Sequence, residues 1–486
     1  MNTKLLYTML TLLLAIQGHN GFSQGWTKII GTIYYDEAYC IQQTFDGGYI
    51  ITGNTYPNNP WDMDLYLIKI SSNGDLIWTK TYGTTGNETG VDVKQTTDNG
   101  YIICGNNAQV GPGGYNVWLL KTDSNGDTLW TQKYGGLYND YGNSVFETDD
   151  GGYVIVGSTE SFGAGGSDFW IIQTDENGDS LWSATYGGPY HDIAFEAQAT
   201  SDGSFVIAGA KQTQGFYNSD VWLLKINSNG EIDWSQTYGG NYDELAYSVS
   251  ETADAGFIVS GYTYSYGSGA QDLWLIKTDM YGDTMWTKTF GGPLNDCGNS
   301  VIETAEGDFV ICGYTFSYSA NSDLDLWMVK TDIGGYTLWT KAYGGSGAEN
   351  GFAVIEAFDG GFTACGSTST WGAGNTDVWL LHTDQDGTVG IPEQQTLHQA
   401  GGLLYQNYPN PFKTNTTIGY SVDREEQVKI DVFNMEGKRI CNLVDEIKPA
   451  GSYQIPFYSG ELQPGIYFYS FETSRGSQYR KMIIQN

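Results

Sequence analysis

Arginine is absent from the first 402 residues of this 486-residue chain, and histidine occurs four times in all. Lys and Arg total 22 against 56 Asp and Glu, a formal net charge of −34. Residues 403–486 hold nine charges of each sign, so the stretch before them sets 13 Lys against 47 acids and carries the whole imbalance. A surface of that sign without guanidinium groups repels phosphodiesters and anionic lipid, which excludes nucleic acid as a partner of this region. His191, His382 and His398 form no constellation with Ser or Cys, and HExxH, GxSxG and paired-Cys zinc spacings are missing. No catalytic group, metal site or cofactor is therefore indicated. Long apolar runs are lacking too. The longest, Leu5–Ile16, is too short to span a bilayer. With Lys4 before it and Gly21 and Ser23 after it, it has the pattern of a secretory signal peptide, residues 1–23. The mature chain is then left without a transmembrane segment.

Six Cys in an exported chain invite a disulfide reading. Register argues against it: Cys104, Cys312 and Cys365 fill one recurring slot, occupied elsewhere by Thr52, Val156, Ala208 and Ser260. Equivalent positions on neighbouring units lie too far apart to bridge. Free thiols are expected.

What is abundant is Gly, at 66, and Tyr, at 36, in a chain only 16% charged. Short strands and tight turns suit that mix. One unit, cleanest at VWLLKTDSNGDTLWTQKYGG from Val117, returns seven times. Its first aromatic falls at Tyr66, Trp118, Trp170, Trp222, Trp274, Trp327 and Trp379; its second falls at Trp26, Trp78, Trp130, Trp182, Trp234, Trp286 and Trp339. Steps are 52 residues, with one of 53 in each series. A strand-rich period near 50 reads as an all-β propeller of seven four-stranded blades over residues 24–387. Whether the Trp26 strand closes the last blade or belongs to the first is open at this point. Turns such as DGGY at Asp46 and DSNGD at Asp123 join the strands, and the latter lack the ligand spacing of calcium loops.

Ten residues after the second aromatic every unit has an acid: Asp36, Glu88, Asp140, Asp192, Glu244, Asp296 and Glu349. Two residues before the first aromatic six units have Asp and one has Asn116. Such acids can cap loops through backbone N–H groups. They can equally ring one face and hold cations or a basic partner. The longest, most variable connection carries Trp61, Phe162, Tyr266, Tyr318 and Trp371, and topology puts it on the same face as the seven acids. Variable loops on a rigid scaffold are where binding concentrates, and aromatics beside acids suit sugars or cationic groups. These rings can also serve as packing between blades. A glycosidase needs one set pair of carboxylates, and no pair is singled out.

The propeller unit, with D-x-W-L-x-K-T-D and a trailing DGGYIIxG, resembles the bacterial seven-bladed repeats of exported proteins over residues 26–387. Its Asp-x-x-Gly-x-x-x-Trp segment also resembles quinoprotein repeats, but the spacing is shorter and no vicinal Cys pair exists, so no quinone is implied. Residues 388–402 lack any period and read as a linker. The segment 403–486 alternates as a small Ig-like β-sandwich does. Within it YQNYPNPF (Tyr405–Phe412), VKIDVFNMEGKRI and LQPGIYFYSF resemble the sorting domain of type IX (Por) secretion cargo. Tyr408, Pro409, Asn410, Pro411 and Phe412 match that family's opening motif, Gly437 its central turn, and Gly465 and Tyr467 its penultimate strand. The resemblance implies that the type IX machinery is a partner and that the protein reaches the outer-membrane surface of a Gram-negative cell or the medium. The expectation is a binding or adhesive module for a glycan or a surface protein. A polysaccharide hydrolase or lyase, or a purely structural surface component, is the alternative.

Overall fold

The computed structural model describes residues 25–389 and 402–485, apart from short stretches at 58–61, 85, 109–113, 214–217, 320–322, 405–406, 408–411, 423, 435–437, 461 and 474–475. The chain divides into two compact units, residues 1–390 and 391–486. The apolar leader, Trp61, Tyr408, Pro409, Asn410, Pro411 and Gly437 lie outside the described residues.

In the first unit the described residues form seven four-stranded antiparallel sheets, numbered 1 to 7 in chain order by the first strand of each, which begins at Asp36, Glu88, Asp140, Asp192, Glu244, Asp296 and Glu349 in turn. Sheet 2, for example, is Glu88–Gln95, Tyr101–Ala108, Tyr115–Thr122 and Thr128–Tyr134. The repeat of the sequence is thus one strand out of phase with the sheet. The DSNGD hairpin keeps Thr128–Tyr134 within the sheet, because Gly126 takes φ +78° and Asp123 Oδ1 accepts the Asn125 and Asp127 amides. The YGG connection instead steps to the next sheet. The strand Trp26–Ile30 consequently has no sheet of its own and pairs with Asp377–Thr383, completing sheet 7.

Burial follows strand position. The second and third strands are buried nearly throughout, as in Tyr153–Thr159 and Asp168–Thr174. The last strand alternates exposed and half-buried residues, as in Thr128–Tyr134. Apolar side chains of successive sheets fill one another's faces: Cys104 and Leu119 of sheet 2 pack with Val145, Ile155 and Trp170 of sheet 3. Sheets 1 and 7 meet in the same way, through Ile41, Tyr49 and Ile51 against Cys365, Val378 and Leu380. All six Cys are unpaired.

Two recurring polar clamps fix the geometry. The YGG tyrosine donates its hydroxyl to the hairpin Gly carbonyl of the next sheet, as Tyr82 does to Gly126 and Tyr134 to Gly178. The Lys of the third strand is buried and reaches the DGGY-type turn: Lys69–Asp46 at 3.0 Å, Lys121–Asp98 at 2.8 Å and Lys277–Asp254 at 2.9 Å. In sheet 7 His382 takes that role with Asp359 at 3.1 Å.

The second unit holds a three-stranded and a four-stranded antiparallel sheet around one core. Phe412 is buried there, bridges in parallel to Ile484 and packs edge-on to Phe457 at a centroid distance of 6.1 Å. Gly465 opens the strand Gly465–Thr473, and the Tyr467 hydroxyl donates to the Gln463 carbonyl at 2.9 Å.

Candidate functional site: a loop face and a central cavity

The seven recurrent acids open the inner strands Asp36–Gln43, Glu88–Gln95, Asp140–Glu147, Asp192–Ala199, Glu244–Glu251, Asp296–Glu303 and Glu349–Glu356. All seven are at most 1% exposed, so the open acidic face expected of them does not form. The reason is hydrogen bonding. Asp140 accepts from Gly136 N at 2.7 Å, from Ser161 Oγ at 2.7 Å and from the Thr159 hydroxyl. Glu244 accepts from Gly240 N at 2.8 Å, Thr263 Oγ1 at 2.9 Å and Ser265 N at 3.0 Å. Glu349 repeats the pattern with Gly345, Thr368 and Thr370. A longer Glu and a shorter Asp serve alike, since each carboxylate collects the donors that the connection before the inner strand and the connection after the second strand leave unused.

Those two connections emerge together. Tyr138 N donates to Ser161 Oγ at 3.0 Å, Tyr242 N to Ser265 Oγ at 3.0 Å and Leu294 N to Ser317 Oγ at 3.1 Å. Of the aromatics anticipated on this face, Phe162, Tyr266, Tyr318 and Trp371 are 40–52% exposed. Each lies against the third-strand Trp of its own sheet at 5.3–5.4 Å: Phe162 on Trp170, Tyr266 on Trp274, Tyr318 on Trp327, Trp371 on Trp379. One ring face is therefore packing, and the other is open. The Tyr266 and Tyr318 hydroxyls are also tied to the Gly239 and Gly291 carbonyls.

A second set of rings was not singled out from the sequence. Tyr138, Tyr190 and Tyr242, at the tips of the inter-sheet connections, are 63%, 40% and 62% exposed. Their signal was an aromatic two residues after the repeat's paired Gly in some units and not others.

The inner strands enclose a cavity of about 540 Å³, lined by Tyr39, Asp92, Lys94, Phe195, Glu196 and Tyr247 among others. Four residues after the recurrent acid the lining reads Cys40, Asp92, Ser144, Glu196, Ser248, Ser300 and Ala353. A bulge here frees one amide per sheet, and the preceding sheet's side chain accepts it: Val301 N to Ser248 Oγ at 3.1 Å, Val145 N to Asp92 Oδ2 at 2.9 Å, Val249 N to Glu196 Oε2 at 2.9 Å. Ser suffices for that task, so the charges at 92 and 196 exceed it. Lys94 pairs with Asp92 at 2.8 Å and stands where siblings have Gln42, Phe146 or Ile302. Burial pushes the Glu196 carboxyl up, while Asp92 is held down against its own burial by Lys94, Cys40 and Val145. Sheets 2 and 4 thus break the repeat inside the cavity, which comparison of the seven copies at this register could have shown. Among the described residues no group of three or more His, Cys, Asp or Glu is arranged to hold a metal, and no helix is long and apolar enough to cross a membrane.

Residues 406–485 match the family model of the secretion system C-terminal sorting domain. A curated relative, the regulatory protein FlaEY of Caulobacter vibrioides, is 26% identical over 322 residues, covering 60% of this chain. The chain spans 32% of that relative's length. Among solved structures, PorZ, a surface component of the type-IX secretion system of Porphyromonas gingivalis, covers 94% of this chain and 60% of its own at 9% identity and a TM-score of 0.42. The β-propeller domain of the trilobed protease from Pyrococcus furiosus covers 74% of this chain and 98% of its own at 10% identity and a TM-score of 0.41.

Proposed function

From the sorting-domain match we infer that this chain is a cargo of the type IX secretion machinery, and so a secreted or cell-surface protein. We propose that the first unit is a closed seven-bladed β-propeller, that the second is an Ig-like sandwich, and that the propeller binds a glycan or a surface protein through its loop face. The observation that carries this reading is the array of Tyr138, Tyr190 and Tyr242, exposed on connections whose backbone is already fixed by buried acids. Rigidly held rings lose little entropy on binding, and a planar face suits a sugar or an apolar side chain. The rest of the surface is acidic, since eight of the 13 Lys before residue 403 are in ion pairs with Asp.

The test is a glycan array, followed by pull-down from the cell surface, with the mature chain and its Tyr138→Ala/Tyr190→Ala/Tyr242→Ala variant. Loss of at least about tenfold in affinity is expected, with an unchanged melting temperature, as for removal of interface anchors. Equal binding by the variant would refute the loop-face assignment. Truncation after about residue 400 should leave the first unit folded and retained in the periplasm; normal surface delivery of the truncated chain would contradict the sorting role.

One observation favours a second reading, hydrolysis or lysis of a polysaccharide. Asp92 and Glu196 break the repeat in a single cavity, and their environments push their carboxyls in opposite directions, as an acid and a base require. Asp92→Ser and Glu196→Ser borrow the sibling residue and preserve the strand-to-strand bond. If either abolishes turnover of an array hit, the enzyme reading stands; if no hit is cleaved by the unaltered chain, binding alone remains.

A further inference from the structure

Six of the seven steps between sheets bring two carboxyl positions to one glycine, the first Gly of the YGG motif or its counterpart. A β-carbon at Gly187 would lie 1.8 Å from Asp168 Oδ1 and 2.7 Å from Asp192 Oδ2. At Gly291 the figures are 2.0 Å from Asp272 Oδ1 and 2.8 Å from Asp296 Oδ2, and at Gly344 they are 2.0 Å from Asp325 Oδ1 and 2.8 Å from Glu349 Oε2. Gly83 sits likewise between Asp64 and Glu88, and Gly31 between Asp377 and Asp36, where the strand Trp26–Ile30 pairs with Asp377–Thr383. Asp168 and Asp272 are 1% exposed, and Asp296 is fully buried. The inner-strand acid has its donors, as described above. At two steps the other carboxyl is short of them: Asp168 Oδ2 accepts from Ala164 N at 2.7 Å, but Oδ1, the oxygen turned to Gly187 and Asp192, has no partner, and neither has Asp64 Oδ1, the oxygen turned to Gly83.

Two charged carboxylates in such a place repel each other and lack solvation, and one proton removes both costs. The repeat contains its own control. In the step from sheet 2 to sheet 3 the Asp is replaced by Asn116, against Gly135 and Asp140. An amide has the shape of a neutral carboxyl group and no charge, and here it is Asn116 Oδ1 that lies toward Gly135.

We propose that Asp64, Asp168, Asp220, Asp272, Asp325 and Asp377 are held as neutral acids, each sharing its proton with the inner-strand carboxylate of the next sheet. The inference does not rest on the binding reading. The groups around each acid are few: Asp62 and Glu88 at Asp64, Asp192 with Lys211 and His191 beyond it at Asp168, and Glu244 at Asp220. Asp272 faces Asp296 and Tyr318, Asp325 faces Asp323 and Glu349, and Asp377 faces Asp36. Burial first, and then the neighbouring carboxylates, push Asp64, Asp272 and Asp325 up to about 6; Asp168, Asp220 and Asp377 are raised in the same direction, chiefly by burial.

A carboxyl whose folded pKa exceeds the unfolded 3.8 gives stability that is complete below 3.8 and is lost as pH rises through about 6. The turn acids act oppositely. Asp202, bonded first by Lys225, is depressed, so its contribution is lost as pH falls below its unfolded value. Stability should therefore peak near pH 4–5, between these windows. Carboxyls of these pairs also pin connections that bear exposed rings, through Ala164, Gly188 and Gly240. Rising pH loosens that face.

Thermal unfolding of the mature chain followed by Trp fluorescence tests this, because all 15 Trp precede residue 403 and report on the first unit alone. In chelator, the melting temperature should rise by about 5 °C or more between pH 8 and pH 5. Asp272→Asn and Asp325→Asn should each raise it at pH 8 and flatten its pH dependence. A loss at pH 8 as large as that of Asp296→Asn would show an ionised acceptor and overturn the proposal. So would the absence, at pH 5, of an infrared carbonyl band from protonated carboxyl groups in the unaltered protein, a measurement that needs no variant to fold. Stabilisation by calcium at pH 8 that Asp272→Asn abolishes would make the pair a cation site and overturn it as well.

Discussion

Deleting residues 25–30 is expected to leave no stable folded first unit at 25 °C. Trp26 stacks on His382 at 5.3 Å and 18° and meets Tyr49 edge-on at 6.0 Å, so one side chain touches both sheet 7 and sheet 1. The strand pairs residue by residue from Trp26 with His382 to Ile30 with Val378. Without it the strand Asp377–Thr383 becomes an open edge, and the cluster joining sheets 1 and 7 loses Trp26 and Ile30. Truncating the Trp side chain alone should cost about 2–3 kcal/mol, somewhat below a full core Trp because it is half-buried. Removal of the strand should exceed about 5 kcal/mol, comparable with the net stability of many domains. The measurements are calorimetry and size-exclusion chromatography. A truncated chain that elutes as a monomer and melts cooperatively within a few degrees of the parent would show that this strand does not hold the succession of sheets together.

Asp140→Ala should be the most damaging single change at a loop, costing about 3–5 kcal/mol. The carboxylate receives the Gly136 amide, the Ser161 amide and hydroxyl and the Thr159 hydroxyl, and all would be left in a space closed to water. Buried donors without partners cost about 1–3 kcal/mol each, and neighbours can relax part of that. Asp140→Asn keeps one acceptor oxygen and puts an NH2 among donors, so about half of the loss is expected. Denaturant unfolding followed by Trp fluorescence compares the two. Because this step already has Asn116 in place of the second acid, neither substitution should alter the pH dependence. Equal stability of Asp140→Ala and the parent would return the acids to the role of an open ring.

The spacing of the aromatics made the strand count and the turn positions legible, because a strand alternates strictly and a tight turn admits few residues. Asp123 and Gly126 stand in the DSNGD hairpin for local reasons that no tertiary contact needs to supply. The carboxylates were visible as a set but not as to side. Asp36 and its siblings occur in every unit, and recurrence is the mark of architecture as much as of a charged ring. Only burial, at most 1% exposed, distinguishes the two. Phe162 and Trp371 were readable as aromatic, but not as half-covered by Trp170 and Trp379. Asp92, Lys94 and Glu196 depart from the repeat, and a pattern defined by recurrence does not mark them. Trp61, Tyr408 and Gly437 lie outside the described residues.

By itself the sequence determined the all-β class, the sevenfold period, the unpaired thiols and the change of character near residue 403, since each depends on neighbours along the chain. Which sheet takes Trp26–Ile30, which carboxyls face each other across Gly187, and which tyrosines stay in water were decided by tertiary structure. These are contacts between residues about 20 to 350 positions apart, and no local pattern specifies a partner at that distance.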